Sequence, residues 1–251
     1  MTQACKNCNH HFKGNYCDNC GQSSETHKLD FEYLWHEIQH GFFHFDKGVL
    51  YTSKELFKRP GHSIREFIDG KRINHFKPLS YVIVLATLYG FLYHFFIKEA
   101  PAFIVATTSD GDPRILLIPK INEWIITHYA IISLLTLPLS ALCSFWAFKK
   151  SGYNYVENLI MNAFLLGQCM VLKLLFFPFV LLFDARSITS IFSTLPGLLG
   201  VGLTFWTYMQ FYNNLKMKQR FWRTILSYVY FGLIFFSLCI IIGILLLSKP
   251  K

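Results

Sequence analysis

Charge is what this sequence has least of. Only 16% of its 251 residues are Asp, Glu, Lys or Arg, while 53% are hydrophobic. A soluble domain carries about a quarter charged residues. The scarcity excludes a disordered chain, which needs high charge and low hydropathy, and it argues against a soluble globule. Also missing are an internal repeat and a low-complexity tract, which excludes solenoid and collagen-like architectures. The first residues, Met1 to Lys13, hold no apolar run of the signal-peptide kind, so the amino-terminal segment is expected to stay in the cytosol. Acidic residues are the scarcer sign, 15 against 24 basic, giving a net charge of +9. In a membrane protein that excess belongs on loops facing anionic lipid, so nucleic acid is not an expected partner.

What charge there is gathers at one end. The first 78 residues, under a third of the chain, hold half of it. The remainder contains five apolar stretches at 79–97, 124–148, 159–183, 191–212 and 224–247. Each has about the 20 residues that a helix needs to cross a bilayer. The expected fold is therefore an all-α integral membrane protein, a five-helix transmembrane bundle over 79–247. Ahead of it come a cysteine module (1–21), a polar linker (22–29) and an amphipathic juxtamembrane region (30–78). In that region Phe31, Leu34, Trp35, Ile38, Phe42 and Phe45 recur at helical spacing, with Asp30 placed as an N-cap. Thr52 to Lys58 and Ser63 to Asp69 read as two further helices, the second opened by a Ser63/Glu66 capping box. The loop from Lys98 to Glu123 reads as a small hairpin about Asp110-Gly111-Asp112.

Orientation follows from Lys and Arg near the spans. Arg65, Lys71, Arg72, Lys77, Lys149, Lys150, Lys216, Lys218, Arg220 and Arg223 fall on one side. Lys98, Arg114, Lys120, Arg186, Lys249 and Lys251 fall on the other. The bias predicts a multi-pass inner-membrane protein with a cytoplasmic N-terminus and an external C-terminus. Trp124, Trp146, Trp206 and Trp222 lie near span ends, as interfacial aromatics do.

Four of the seven cysteines stand as two C-x-x-C pairs, Cys5/Cys8 and Cys17/Cys20, eight residues apart. Each pair can bend into a knuckle presenting two thiolates, and four thiolates close a tetrahedral structural Zn²⁺ site without an open position. A module of this length is too short for a core, so the metal is expected to supply its folding energy. The spacer is expected to turn back near Gly14-Asn15. Local disulfides or a redox pair are the alternatives, and a reducing cytosol disfavours them. Only Lys6 and Lys13 are basic in this head, too few for nucleic acid. Cys143, Cys169 and Cys239 sit alone in apolar runs and read as small hydrophobes.

His36-Glu37-x-x-His40 matches the H-E-x-x-H pattern, in which two histidines one helical turn apart bind zinc and the glutamate activates water. This makes a membrane-anchored metallopeptidase an alternative function. The metzincin extension is missing and no third ligand is singled out. The competing reading is an interfacial helix with histidines along its polar edge.

In the third apolar stretch Lys173 sits near the middle of the bilayer, where an unpaired charge costs at least about 2.5 kcal/mol. Asn158, Asn162 and Cys169 share its helix face. This polar stripe either turns into the bundle for structural hydrogen bonds or lines a conduit for a lipid or small solute. His94, His128 and Gln168 are its expected partners.

The stretch from His36 to Pro78, with Asp46-Lys47-Gly48, Arg59-Pro60-Gly61 and Gly70-Lys71-Arg72, and the head CKNCNHHFKGNYCDNCGQ before it, resembles a bacterial membrane family. That family is known as domain of unknown function 3667, and the likeness covers about the first 80 residues. The resemblance implies an inner-membrane protein with a zinc-ribbon-like head, and it brings no activity with it. On the residues themselves, Asp46, Lys47, Arg59, Arg65 and Asp69 are expected to form a polar network holding the juxtamembrane helices against the bundle. Lys71 and Arg72 stand before the first span, where anionic headgroups attract them. The functional expectation is a non-enzymatic binding or scaffold protein, in contact with the bilayer and recruiting a cytosolic protein through its head.

Overall fold

A computed structural model of the chain describes residues 2–26, 29–40, 48–96, 124, 127–182 and 188–247. A two-residue ladder opens it, β1 (Gln3–Ala4) against β2 (His11–Phe12), antiparallel with Gln3 opposite Phe12. Among the described residues eight α-helices follow: α1 (Phe31–His40), α2 (Gly48–Lys58), α3 (Pro60–Ile68), α4 (Pro78–Phe96), α5 (Tyr129–Ala147), α6 (Tyr155–Leu182), α7 (Ile188–Phe211) and α8 (Met217–Leu247).

The first three helices are short and amphipathic. Asp30 caps α1, its Oδ1 accepting the Tyr33 backbone N–H at 2.9 Å, the N3 bond expected of an N-cap aspartate. The capping box expected at Ser63 is not formed. α3 begins earlier, with Pro60 in its first turn, and Ser63 is buried inside the helix. Proline suits that first position because its missing N–H would have no intrahelical partner. α3 buries Pro60, Gly61, Ser63, Ile64 and Phe67, one stripe at helical spacing.

Among the described residues four helices are long and apolar enough to cross a membrane by length and composition: Pro78–Phe96, Ala130–Ala147, Tyr155–Leu182 and Met217–Leu238. The chain is an all-α membrane protein. The expected count of five spans is not reproduced among the described residues. The fourth expected stretch is a helix of 24 residues, α7. Its Thr194, Thr204, Thr207, Gln210, three glycines and Pro196 dilute its apolar character. The hairpin expected between Lys98 and Glu123 lies outside the described residues, as do Asp46, Lys47 and the side chains of His36, Glu37 and His40.

α6 is the centre of the bundle and packs on α4, α5 and α7, while α8 leans on α5 and α7. Its first half is buried nearly all round, from Val156 to Gln168, as a helix surrounded by other helices must be. α3 lies across the end of α7. Gly61 permits this, because a Cβ there would drive into the backbone of Gln210 and Phe211. The loop Asn214 donates its amide to the Ser151 carbonyl at 2.5 Å, and Asn154 donates to the Leu29 carbonyl at 3.2 Å. The α5–α6 loop, the α7–α8 loop, α3 and the start of α1 therefore meet at one end of the bundle.

A four-cysteine centre clamped to the juxtamembrane helices

The two C-x-x-C segments fold alike. In the first, the Cys5 N–H donates to the His10 carbonyl and the Asn9 N–H returns to the Cys5 carbonyl, both at 2.9 Å. In the second, the Cys17 N–H donates to the Gln22 carbonyl at 2.9 Å and the Gly21 N–H returns to the Cys17 carbonyl at 2.8 Å. The equivalence extends to the backbone: the fourth residue after each leading cysteine is left-handed, Asn9 at φ 59° and Gly21 at φ 75°. These are the two residue types that adopt this conformation most readily. It extends outward too, since Ala4 pairs with His11 and Tyr16 with Ser23 at the same offsets from their cysteines. The head is thus two matching knuckles, each closed by its own strand pair. The expected single turn at Gly14-Asn15 is instead the joint between them.

The knuckles face each other across a small sulfur cluster. Cys5 and Cys20 Sγ lie 3.6 Å apart, as do Cys8 and Cys17 Sγ, and all four sulfurs are within 4.8 Å of one another. A tetrahedral ion with metal–sulfur bonds of about 2.3 Å spaces its ligands about 3.8 Å apart, so the donor set fits. None of the four is in a disulfide. Cys5 and Cys17 are buried and pack with Phe12 in a core cluster of their own. The His10 backbone N–H, followed by the Asn19 side chain, pulls the Cys8 thiol down to about 6. Burial pushes Cys17 up to about 11, a cost that a bound cation reverses because coordinated thiols deprotonate. Among the described residues this is the one group of His, Cys, Asp and Glu whose ligand atoms converge.

Gln22 ties this head to the membrane body. Sequence reasoning places it in a linker, yet it is buried. Its carbonyl closes the second knuckle, and its side-chain Oε1 accepts two backbone N–H groups, Arg72 at 3.1 Å and Ile73 at 2.9 Å. Lys6 donates to the Thr26 carbonyl at 3.2 Å. Arg72 lies over the rings of Tyr33 at 5.0 Å and Phe67 at 5.5 Å and donates Nε to the Phe67 carbonyl at 3.2 Å. Between head and body lies a cleft of about 860 Å³. Tyr16, Ser23 and Thr26 form one wall, and Tyr51, His75 and Lys77 the other.

The remaining expected site residues take separate places. Arg59 bridges α2 and α3, pairing with Glu55 at 2.6 Å and Glu66 at 3.1 Å, and Lys71 meets Glu66 at 3.3 Å. Burial pushes the Glu66 carboxyl up, but the hydrogen bonds from Arg59 and Lys71 outweigh it and hold it below the usual range. Arg65 instead reaches α7, where its Nη1 donates to the carbonyls of Gln210 and Phe211. Arg220 takes the neighbouring Met209 carbonyl at 2.6 Å. A helix C-terminus leaves its last carbonyls unpaired and partly negative, so two guanidinium groups there are well placed.

In the bundle, Asn158 and Asn162 are engaged by Tyr208 of α7 and by Tyr212, just past the end of that helix. Tyr212 donates to Asn158 Oδ1 at 2.5 Å and Tyr208 to Asn162 Oδ1 at 3.0 Å. Asn162 Nδ2 donates to Ser144 on α5 at 2.9 Å. The signal was legible in retrospect, for asparagines at i and i+4 face tyrosines at i and i+4. Lys173 is not part of this group, and its Nζ lies 5.6 Å from the Tyr89 ring centre on α4. Gln168 accepts from Tyr81 at 2.9 Å and donates to the Ser53 carbonyl at 3.2 Å, joining α6 to α4 and α2.

With this geometry in place, comparison with known proteins adds one likeness. A family model described as a protein of unknown function (DUF3667) matches residues 46–90. The match covers α2, α3, the Gln22-clasped segment and most of α4. It contains Asp46-Lys47-Gly48, Arg59-Pro60-Gly61 and Gly70-Lys71-Arg72, the elements that carry the resemblance, and it begins after the cysteine head. No curated protein and no solved structure matches the chain.

Proposed function

We propose that the chain is a non-enzymatic membrane protein whose zinc-bound head faces the cytosol. Docked on the juxtamembrane helices, the head forms with them a binding surface for a cytosolic protein. The observation that carries this is the shared cleft: one wall belongs to the four-cysteine head and the other to the segment matched by the family model. Four thiolates leave a tetrahedral ion no open position, so the ion organises the head and does not react. Zinc suits an all-sulfur tetrahedral set, and iron is the chemical competitor. The cytosolic orientation rests on the basic loops that the fold gathers at the head's end of the bundle.

The test is elemental analysis of the purified full-length chain, joined to hydrogen exchange. One zinc per chain is expected, lost in Cys17→Ser. Stripping the metal should then raise exchange at residues 70–77 as the head leaves its seat. Iron with the visible absorption of a thiolate centre would overturn the choice of metal. Unchanged exchange at 70–77 after stripping would overturn the shared surface.

A further inference from the structure

The start of α8 carries a basic cluster that the proposed function does not use. From Asn213 to Arg223 the sequence reads NNLKMKQRFWR, with four cations and no acid. Arg220 is committed, since its guanidinium holds the carbonyls of Leu215 and Met209. Lys216, Lys218 and Arg223 are not. Among the described residues no carboxylate pairs with them, and Arg223 Nη1 is buried with no hydrogen-bond partner. Together with Gln219 and Trp222 these three line a cleft of about 450 Å³. Its apolar side is exposed, with Trp222 at 60% and the adjacent Met217 at 71%. The helix that follows, from Met217, is of membrane-crossing length and composition.

Three uncommitted cations, an amide and an indole at the mouth of a membrane helix make a specific combination. The cations require an anion, and the exposed Gln219 amide adds a hydrogen-bond donor for it. The indole and methionine require an apolar neighbour at headgroup depth, where Trp is favoured. A phosphate ester joined to acyl chains supplies both. We infer that this cleft is a binding site for one anionic phospholipid, its phosphate held by Lys216, Lys218 and Arg223 and its upper acyl chain against Trp222. Nucleic acid and free phosphate offer the anion but no acyl chain for the exposed indole.

The test uses native mass spectrometry of the full-length protein in non-ionic detergent, titrated with phosphatidylglycerol or phosphatidylcholine. Phosphatidylglycerol should bind at one site in preference to phosphatidylcholine. Replacing both lysines with glutamine (K216Q/K218Q), on exposed side chains that no packing depends on, should weaken it by about fivefold per cation. R223Q should do the same. K149Q/K150Q, two exposed lysines outside the cleft but at the same end of the bundle, should leave it within about twofold, since long-range surface charge is screened. Equal binding of the two lipids overturns the site. So does an equal loss in K149Q/K150Q, which would mean diffuse attraction to a basic face. Full competition by inorganic phosphate at millimolar concentration overturns the lipid and leaves an anion site.

Discussion

The side chain of Gln22 and the backbone of Ile73 meet at 2.9 Å, fifty-one positions apart in the chain. Five residues after Ile73 the first membrane helix begins. The same glutamine closes the second cysteine knuckle with its main-chain carbonyl. Its two ends therefore connect the four-cysteine cluster to the root of α4 through one residue.

Gln22→Ala should separate the head from the body without unloading it. The change leaves the N–H groups of Arg72 and Ile73 without their acceptor, at about 1–3 kcal/mol each where water cannot replace it. The four cysteines are untouched, so metal content should stay at wild-type level while protease cleavage between residues 22 and 29 accelerates. Loss of metal in this variant would show that the head depends on its seat to fold. Unchanged cleavage would show that the clasp contributes nothing.

His75 makes stability sensitive to mild acid. Burial drives its imidazole down to about 4 from 6.5, against the raising influence of Glu66 and Glu55 and with Arg59 adding to the fall. The rings of Tyr51, Phe67 and Phe164 surround it. A depressed folded-state value means that the unfolded chain takes up the proton first. Stability is then full above pH 6.5 and declines as pH falls toward 4, by about 3 kcal/mol at most. Thermal unfolding midpoints in detergent across this window should fall for the wild type. They should fall less for His75→Gln. Parallel curves for the two proteins would rule His75 out as the source.

The seat of α3 on α7 should tolerate no added volume. Gly61→Ala places a methyl group against the backbone of Gln210 and Phe211, an overpacking that typically costs about 1–3 kcal/mol. Arg65→Lys keeps the charge at the same end but loses the guanidinium geometry that serves two carbonyls at once, and about 1–2 kcal/mol should go with it. Both variants should unfold earlier than wild type in a thermal ramp. An unshifted Gly61→Ala would mean that the two helices are not in contact at this point.

Inside the bundle, the Asn162–Tyr208 bond should appear as a coupling between α6 and α7. Asn162→Ala and Tyr208→Phe each remove one partner. Their double-mutant cycle should return about 0.6 kcal/mol, the usual scale of a hydrogen bond between membrane helices. A coupling indistinguishable from zero would indicate that the two side chains find other partners when separated.

Much of this was legible before the fold was known, because the signals are local. Apolar stretches of bilayer length pointed to α4, α5, α6 and α8, though α8 begins seven residues before the expected 224, because its first turns are basic and amphipathic and hydropathy does not register them. Cys5, Cys8, Cys17 and Cys20 were legible because C-x-x-C geometry depends on neighbouring residues only. Asp30 worked as a cap for the same reason. Ser63 failed because Pro60, three residues earlier, is the better helix opener and left the serine to be buried. α7 was overcounted because length alone admitted it, whereas its threonines and glycines lower its apolarity along its whole length. The unseen contacts are long-range. Nothing near Gln22 announces that its amide will meet Ile73, and nothing near Arg65 announces the end of α7.

That last contact has a consequence for how the chain is made. The guanidinium of Arg65 emerges from the ribosome 145 residues ahead of the Gln210 carbonyl it will hold, and three membrane-crossing helices are threaded in between. Throughout that interval α3 has α2 and, later, Phe164 of α6 to pack on, but not its main seat. It must wait, amphipathic and only partly docked, until the end of α7 arrives. Arg220 then reaches the Met209 carbonyl from the other side. Closure of this end is therefore a late event in biogenesis, and a truncation before Phe211 should strand α3 however well the preceding helices have inserted.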